Sequence, residues 1–489
     1  MIARGRWSDH KKTITHQKLL QAVERPLQLA TENGEGTVQQ VDNQEETVRL
    51  SDKDEAEQRS THNQSTQTPQ EKMYDLYVKA RERTLHALRS NRDRFAGPVR
   101  DRLAHETDPY IEDIKRARII KPLSADEYMA QKHDAAAIRY AHVLCSMGEA
   151  RRILEDASPK VSLLIYPEEG DDAGDDRVEE LLVYLSTKDK IDVHRWDKVV
   201  DENDREAEWR QPDSLDAREA VDLFRDPAKG PVNFLNLANT EDNEVPACIA
   251  NIRAYSILRE ISEDNFIGKR AKSNWTDLSS CRAFTLLGKG GAFSQTHWDR
   301  AGVLTASRNR GGLKNWLTWP SLTEDELLEW DVNQTPSPAA DPFIVFVLPG
   351  YLYVGPRLTL HSPFTETSCR MSGTMYWDSR EMAGILRAAL LDFKRPNNTN
   401  EPPAKEWISK IRQIDRHWRN KVTSWPWGDD QEFEKWSRYL QVCTVPSTYE
   451  HLLIDISTGI RDSCSQAKTE ASQGNACEIA QNSFRYYNL

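Results

Sequence analysis

The chain contains no Cys-x-x-Cys pair. Its seven cysteines stand apart at positions 145, 248, 281, 369, 443, 464 and 477, which excludes a small zinc module and a dense disulfide framework and points to a reducing compartment. Long hydrophobic runs are missing too. The longest, Phe343 to Leu348, falls far short of the roughly 20 apolar residues that a membrane helix needs, so no membrane span is expected. The opening MIARGRWSDHKK lacks the apolar core of a secretory signal, and an intracellular location, nucleus or cytoplasm, is expected. There is no excess of basic charge: 65 Lys and Arg face 77 Asp and Glu, a net charge of -12, so nucleic acid and anionic membranes are not indicated as partners. Apolar residues make up only 38% of the chain, and the mean hydropathy is -0.72. That shortage is concentrated between Ala30 and Lys72, where Glu, Gln, Asn, Ser, Thr and Asp dominate. Such a stretch cannot bury enough surface to offset its chain entropy, and residues 1–72 are predicted to form a mostly disordered arm and linker.

Beyond the arm the patterning changes. Met73, Leu76, Tyr77, Ala80, Thr84, Ala87, Leu88, Asn91 and Phe95 recur at threes and fours, which predicts an amphipathic helix ending near Gly97-Pro98. Lys79, Arg81, Arg83, Arg89, Arg92 and Arg94 fall on its other face, either a solvated face or a surface for nucleic acid or an acidic partner. Ser124 and Glu127 form a capping-box signature, predicting a helix through Tyr140 and His142 to about Leu154, with His133 and His142 as structural residues. Val161 to Pro167 reads as a strand, and the following EEGDDAGDD lacks the ligand spacing of a calcium loop. Val178 to Tyr184 fits helix or strand. The segment 73–189 is thus mainly helical with a short strand. Further on, Ser214 to Phe224 reads as helix and Val232 to Leu237 as strand. The region 381–489 is predicted helical, with helices over Glu381 to Phe393, Ala404 to Val422 and Phe433 to Leu440. The stripe Trp407, Ile408, Ile411, Ile414 and Trp418 has the spacing of a packing face.

Chemistry concentrates between these regions. His297 is the one histidine of the chain followed two residues later by an acid, Asp299, and strand alternation would aim both side chains to one face. The dyad alone is weak, since 12 histidines and 77 acidic residues produce such spacings by chance. Its surroundings strengthen it. His361 follows FIVFVLPGYLYVGPRLTLH, which reads as strand, turn, strand, and Lys314 opens the strand-like LKNWLTW. Two histidines and one carboxylate are the composition of the facial triad that holds non-haem Fe(II).

The order of these parts resembles the JmjC family of cupin-fold oxygenases. The resemblance rests on the His-x-Asp of THWDRAG, the Lys of GGLKNWLTWP, the Pro-Gly step before LYVGPRLTLH and the closing strand GTMYWD, with VHRWDKVVDENDR and GPVNFLNLA as the lead-in. It covers residues 190–380. It implies an α+β chain whose central domain is a double-stranded β-helix, flanked by helical regions, with Fe(II) held by His297, Asp299 and His361. It also implies 2-oxoglutarate bound to the iron, its far carboxylate on Lys314 and Ser294. The implied activity is hydroxylation of a protein side chain or demethylation of an N-methyl lysine, so a protein substrate is the expected partner. Two other readings stay open: a catalytically silent interaction module, and a metal-binding cupin with different chemistry. The family precedent also allows a homodimer through the C-terminal helices. Unlike the chromatin demethylases, the chain carries no zinc-finger reader and no JmjN segment.

Overall fold

The computed structural model describes residues 67–168, 176–196, 212–238, 245–263, 284–332, 335–399 and 407–444. The arm expected over 1–72 lies outside them as far as residue 66, and its last residues depart from expectation because a helix already begins at Pro69. The cause is local. Thr68 accepts from the Glu71 amide, the Glu71 carboxylate accepts from the Thr68 amide at 2.8 Å, and Pro69 occupies the first turn, so both ends of a capping box are satisfied.

Among the described residues there are eleven α-helices and twelve strands. In chain order the helices are α1 (Pro69–Asp93), α2 (Gly97–Arg116), α3 (Ala125–Gln131), α4 (Met147–Asp156), α5 (Asp176–Leu185), α6 (Ala217–Arg225), α7 (Ile257–Glu263), α8 (Glu324–Glu329), α9 (Met382–Lys394), α10 (Trp407–Arg419) and α11 (Asp430–Thr444). The strands are β1 (His142–Cys145), β2 (Ser162–Ile165), β3 (Lys190–Arg195), β4 (Asp213–Asp216), β5 (Val232–Ala238), β6 (Phe284–Gly288), β7 (Leu304–Gly311), β8 (Lys314–Thr318), β9 (Phe343–Val347), β10 (Leu352–Gly355), β11 (His361–Thr365) and β12 (Cys369–Tyr376).

The chain is a mixed α+β structure. Nine strands form one mixed sheet in the order β1-β2-β10-β7-β12-β6-β5-β3-β4, parallel only between β1 and β2, and β11-β8-β9 form an antiparallel sheet of three. The two lie face to face: Trp316 of β8 packs on Tyr353 of β10 with ring centroids 4.3 Å apart. Alternation then divides β8. Lys314, Trp316 and Thr318 look inward at the large sheet, while Asn315 and Leu317 look outward at α1 and α2, where Asn315 bonds Thr84 and Leu317 joins Tyr110, Ile111 and Ile114.

Helix α1 follows its predicted stripe closely, burying Met73, Tyr77, Ala80, Thr84 and Leu88. Part of its basic face is spent within the chain: Arg83 pairs with Glu366 at 2.5 Å and Arg92 with Asp108 at 2.9 Å. The helix predicted to run to Leu154 does not. It stops at Gln131, because the Asp134 side chain accepts from the amides of Ala136 and Ala137 at 3.0 and 3.1 Å and closes a turn in place of the helical ladder. His142 to Cys145 then enters the large sheet as β1. His142 is fully buried, 2.9 Å from the Tyr77 hydroxyl, in the structural role expected for it. The ambiguous Val178 to Tyr184 is helical, and the start of the predicted Ser214 helix is instead β4. At the C-terminal side, Trp407, Ile411, Ile414, Trp418 and Trp436 share a core with α9, so the aromatic stripe is consumed by packing inside the chain.

Candidate metal centre

Beyond β6 the chain crosses from the large sheet to the small one. The amide of Gly291 donates to Thr365 O at 2.8 Å, that of Thr365 to Ala292 O at 2.7 Å, and that of Ser294 to Pro363 O at 2.9 Å. His297 and His361 exchange both backbone bonds, at 3.1 and 2.9 Å. Phe293 bridges Phe364 and His297 bridges His361, so one residue too many lies on the first strand and a bulge forms around Gln295 and Thr296. The bulge places His297 opposite His361 on the inward side. Sequence alternation had placed all the ligands on strands. Only His361, the first residue of β11, is on one: His297 is held by an isolated bridge, and Asp299 caps the short turn Arg300–Gly302.

The three side chains converge. One ligand atom from each of His297, Asp299 and His361 lies within 4.8 Å of the others, with His361 Nε2 3.8 Å from Asp299 Oδ1. An ion that held them at about 2.0–2.2 Å would need them no more than about 4.4 Å apart, and the His361–Asp299 pair already meets that limit. The group can hold a metal ion.

The tautomers suit that role. A carbonyl can only accept, so His297 Nδ1 donates to Gln295 O at 2.6 Å and His361 Nδ1 donates to Thr359 O at 2.9 Å. Each bond leaves the lone pair on Nε2 and fixes the ring plane, the usual support of a metal-bound histidine. Burial, assisted by the neighbouring His361, pulls His297 down to about 4, which keeps it neutral and able to ligate at pH 7. Thr305 of β7 donates its hydroxyl to Asp299 Oδ2, turning Oδ1 toward His361. Trp316 stacks on His361 with centroids 4.9 Å apart, closing that side of the ring to water.

Lys314 is on the same inward face as Trp316 and lies directly across from Thr365 of β11. It is 4% exposed, and among the described residues no carboxylate pairs with it. Burial pulls its ammonium below the ordinary lysine range, offset in part by the Cys369 thiol, which burial itself pushes up to about 12. Other inward polar atoms are buried without partners among the described residues: Ser307 Oγ, Thr365 Oγ1, Asn233 Oδ1 and Trp316 Nε1. A Cβ on Gly288 would come within 2.5 Å of Thr365 Oγ1 and 2.9 Å of Asn233 Oδ1, so only glycine lets these strands close together here. Ser294 lies on this face by alternation, since Phe293 points outward to stack on Tyr110 at 5.3 Å. Thr305, Trp316 and Thr365 had no signature in the sequence, because their roles come from cross-strand register. No family model matches the chain, and no curated protein matches it.

Proposed function

We propose that the chain is an Fe(II)- and 2-oxoglutarate-dependent oxygenase of the JmjC type, its two facing sheets forming a double-stranded β-helix. One observation carries the reading: two buried histidines with a partly buried aspartate, and a buried lysine with which no carboxylate of the described residues pairs, share one inward face. A buried ammonium with no counter-charge is costly, and a dianionic keto acid is the ligand class that would offset it while also reaching the metal.

In this reading Nε2 of His297, Nε2 of His361 and Oδ1 of Asp299 hold the iron. Lys314 and the Ser294 hydroxyl on the same inward face take the far carboxylate of 2-oxoglutarate. Thr305 keeps the Asp299 carboxylate turned to the metal, and the carbonyls of Gln295 and Thr359 keep both imidazoles in the ligating tautomer. Trp316 shields the ring of His361 and offers its indole N–H to the keto acid. When bound, Fe(II), 2-oxoglutarate and dioxygen supply oxidative decarboxylation to succinate and carbon dioxide, coupled to oxidation of a substrate C–H bond. A protein side chain or an N-methyl lysine is the proposed substrate class. Oxidation at carbon leaves an alcohol, whereas oxidation of an N-methyl group leads to its loss.

The test is succinate release from 2-oxoglutarate by anaerobically purified protein given Fe(II), ascorbate and air, with His297→Ala as control. Slow uncoupled turnover that the substitution abolishes is expected. Failure of the wild-type protein to bind either metal or 2-oxoglutarate would sink the reading in favour of an interaction module.

A further inference from the structure

The turn that carries Asp299 is held from outside both sheets. Trp298, fully buried, donates its indole N–H to Asp392 Oδ1 of α9 at 2.7 Å, and its amide donates to Asn398 O at 3.2 Å. Two residues beyond Asp299, the amide of Ala301 donates to Asp392 Oδ2, also at 2.7 Å. The Ala301 carbonyl accepts from Trp377 Nε1 at 3.0 Å. Ala301 has φ 61°, a left-handed conformation that costs a residue with a Cβ about 1 kcal/mol and so needs such a grip. Gly302 repeats it, with φ 61°, and a Cβ there would come 2.8 Å from Ala388 Cβ and 3.0 Å from Ile385 Cα. The turn therefore lies directly on α9. One carboxylate, 3% exposed, uses its two oxygens to hold the residues on either side of a candidate metal ligand.

We propose that Asp392 is a positioning residue for the metal: by clamping Trp298 and Ala301 it sets where the Asp299 carboxylate lies, and so sets the affinity of the triad for a divalent cation. The proposal rests on the metal reading above. It separates Asp392 from an ordinary buried structural acid, whose loss would lower stability without acting selectively on the metal.

The experiment is an anaerobic Co(II) titration of the full chain, followed by its visible absorption, beside thermal denaturation and amide exchange at Ala301 in the metal-free protein. Asp392→Asn keeps the shape and removes one acceptor. It should weaken Co(II) binding by about tenfold or more, the usual effect of losing an outer-shell partner, and expose the Ala301 amide to faster exchange. Ile411→Val or Ile411→Ala on α10, whichever matches the loss of Tm, trims the same core without touching the clamp and should leave the Kd within twofold. Trp298→Phe, which removes the indole donor and part of the ring volume but leaves the Asp392 carboxylate in place, should weaken Co(II) as well, and keeps the test usable if Asp392→Asn folds poorly. Equal Co(II) affinity in wild type, Asp392→Asn and Trp298→Phe overturns the proposal, and so does equal weakening by the Ile411 variant. A wild-type chain that takes up no Co(II) overturns the metal reading and the proposal with it, an outcome distinct from failure of the clamp alone.

Discussion

Two lysines are buried in the sheets or at their edge, in contrasting surroundings. Lys289, just past β6, is 9% exposed and donates to the carbonyls of Leu223, Asp226 and Lys229 at 3.2, 2.6 and 3.0 Å. Two of these belong to the last turn and C-cap of α6, where carbonyls are unspent and the helix dipole favours a cation. Lys314, at the start of β8, is more deeply buried, at 4% exposed, and among the described residues has no such cage. The same side chain thus closes a helix in one place and leaves a charge unanswered in the other. Proteins rarely tolerate the second arrangement except where something else completes it.

The contrast breaks most readily at Lys289. Lys289→Met leaves three carbonyls without their donor, and should lower unfolding stability in urea by about 3–5 kcal/mol with little effect on ligands. Lys314→Met should do the reverse: a 2-oxoglutarate affinity at least about 100-fold weaker, roughly 2.7 kcal/mol, in isothermal titration, with a urea midpoint unchanged or raised. A midpoint that falls as far as in Lys289→Met would make Lys314 structural and end the comparison.

The histidines carry a smaller version of it. His142, bonded to Tyr77, is pushed down to about 3 by burial, from 6.5 in an unfolded chain. Between those values the unfolded state binds the proton and the folded state refuses it, so this contribution is intact above pH 6.5 and is lost as pH falls toward 3. Each group contributes up to about 1.4 kcal/mol per pH unit. The stability of His142→Phe, whatever its value at neutral pH, should fall less steeply over that interval. The smallest effect on affinity is expected of Trp316→Phe, which removes the indole N–H and keeps one aromatic ring. It should weaken 2-oxoglutarate by about 1 kcal/mol, with a fall in melting temperature from the lost ring volume. No change in affinity would remove Trp316 from the ligand contacts.

Much of this was legible in residues that report local physics. The threes and fours of α1, the Phe343 to Leu348 run and the His297-x-Asp299 spacing each reflect one element at a time. What was not legible depends on two elements meeting. Nothing in the Ala-rich stretch after Gln131 announces that Asp134 closes a turn and His142 departs into a sheet, because β2 is what makes that strand worth forming. Lys289 and Lys314 look alike in sequence, and only α6 behind one of them tells them apart. Asp392 is one acid among 77 acidic residues on an apolar helix, and the bulge at Gln295 shows only when Phe364 and His361 are laid opposite.

The clamp on the Asp299 turn bears on how this chain could be inherited or recombined. A barrel bounded by its own strands would be a portable cassette, free to be grafted between chains. Here the turn bearing one candidate ligand is anchored to α9, well past the last strand, and the small sheet is pinned through Asn315 and Glu366 to α1, far ahead of the first. Because α9 in turn shares its core with α10 and α11, the smallest exchangeable unit runs from residue 69 to about residue 444, and crossovers placed at the edges of the sheets should yield folded chimaeras with a loosened site.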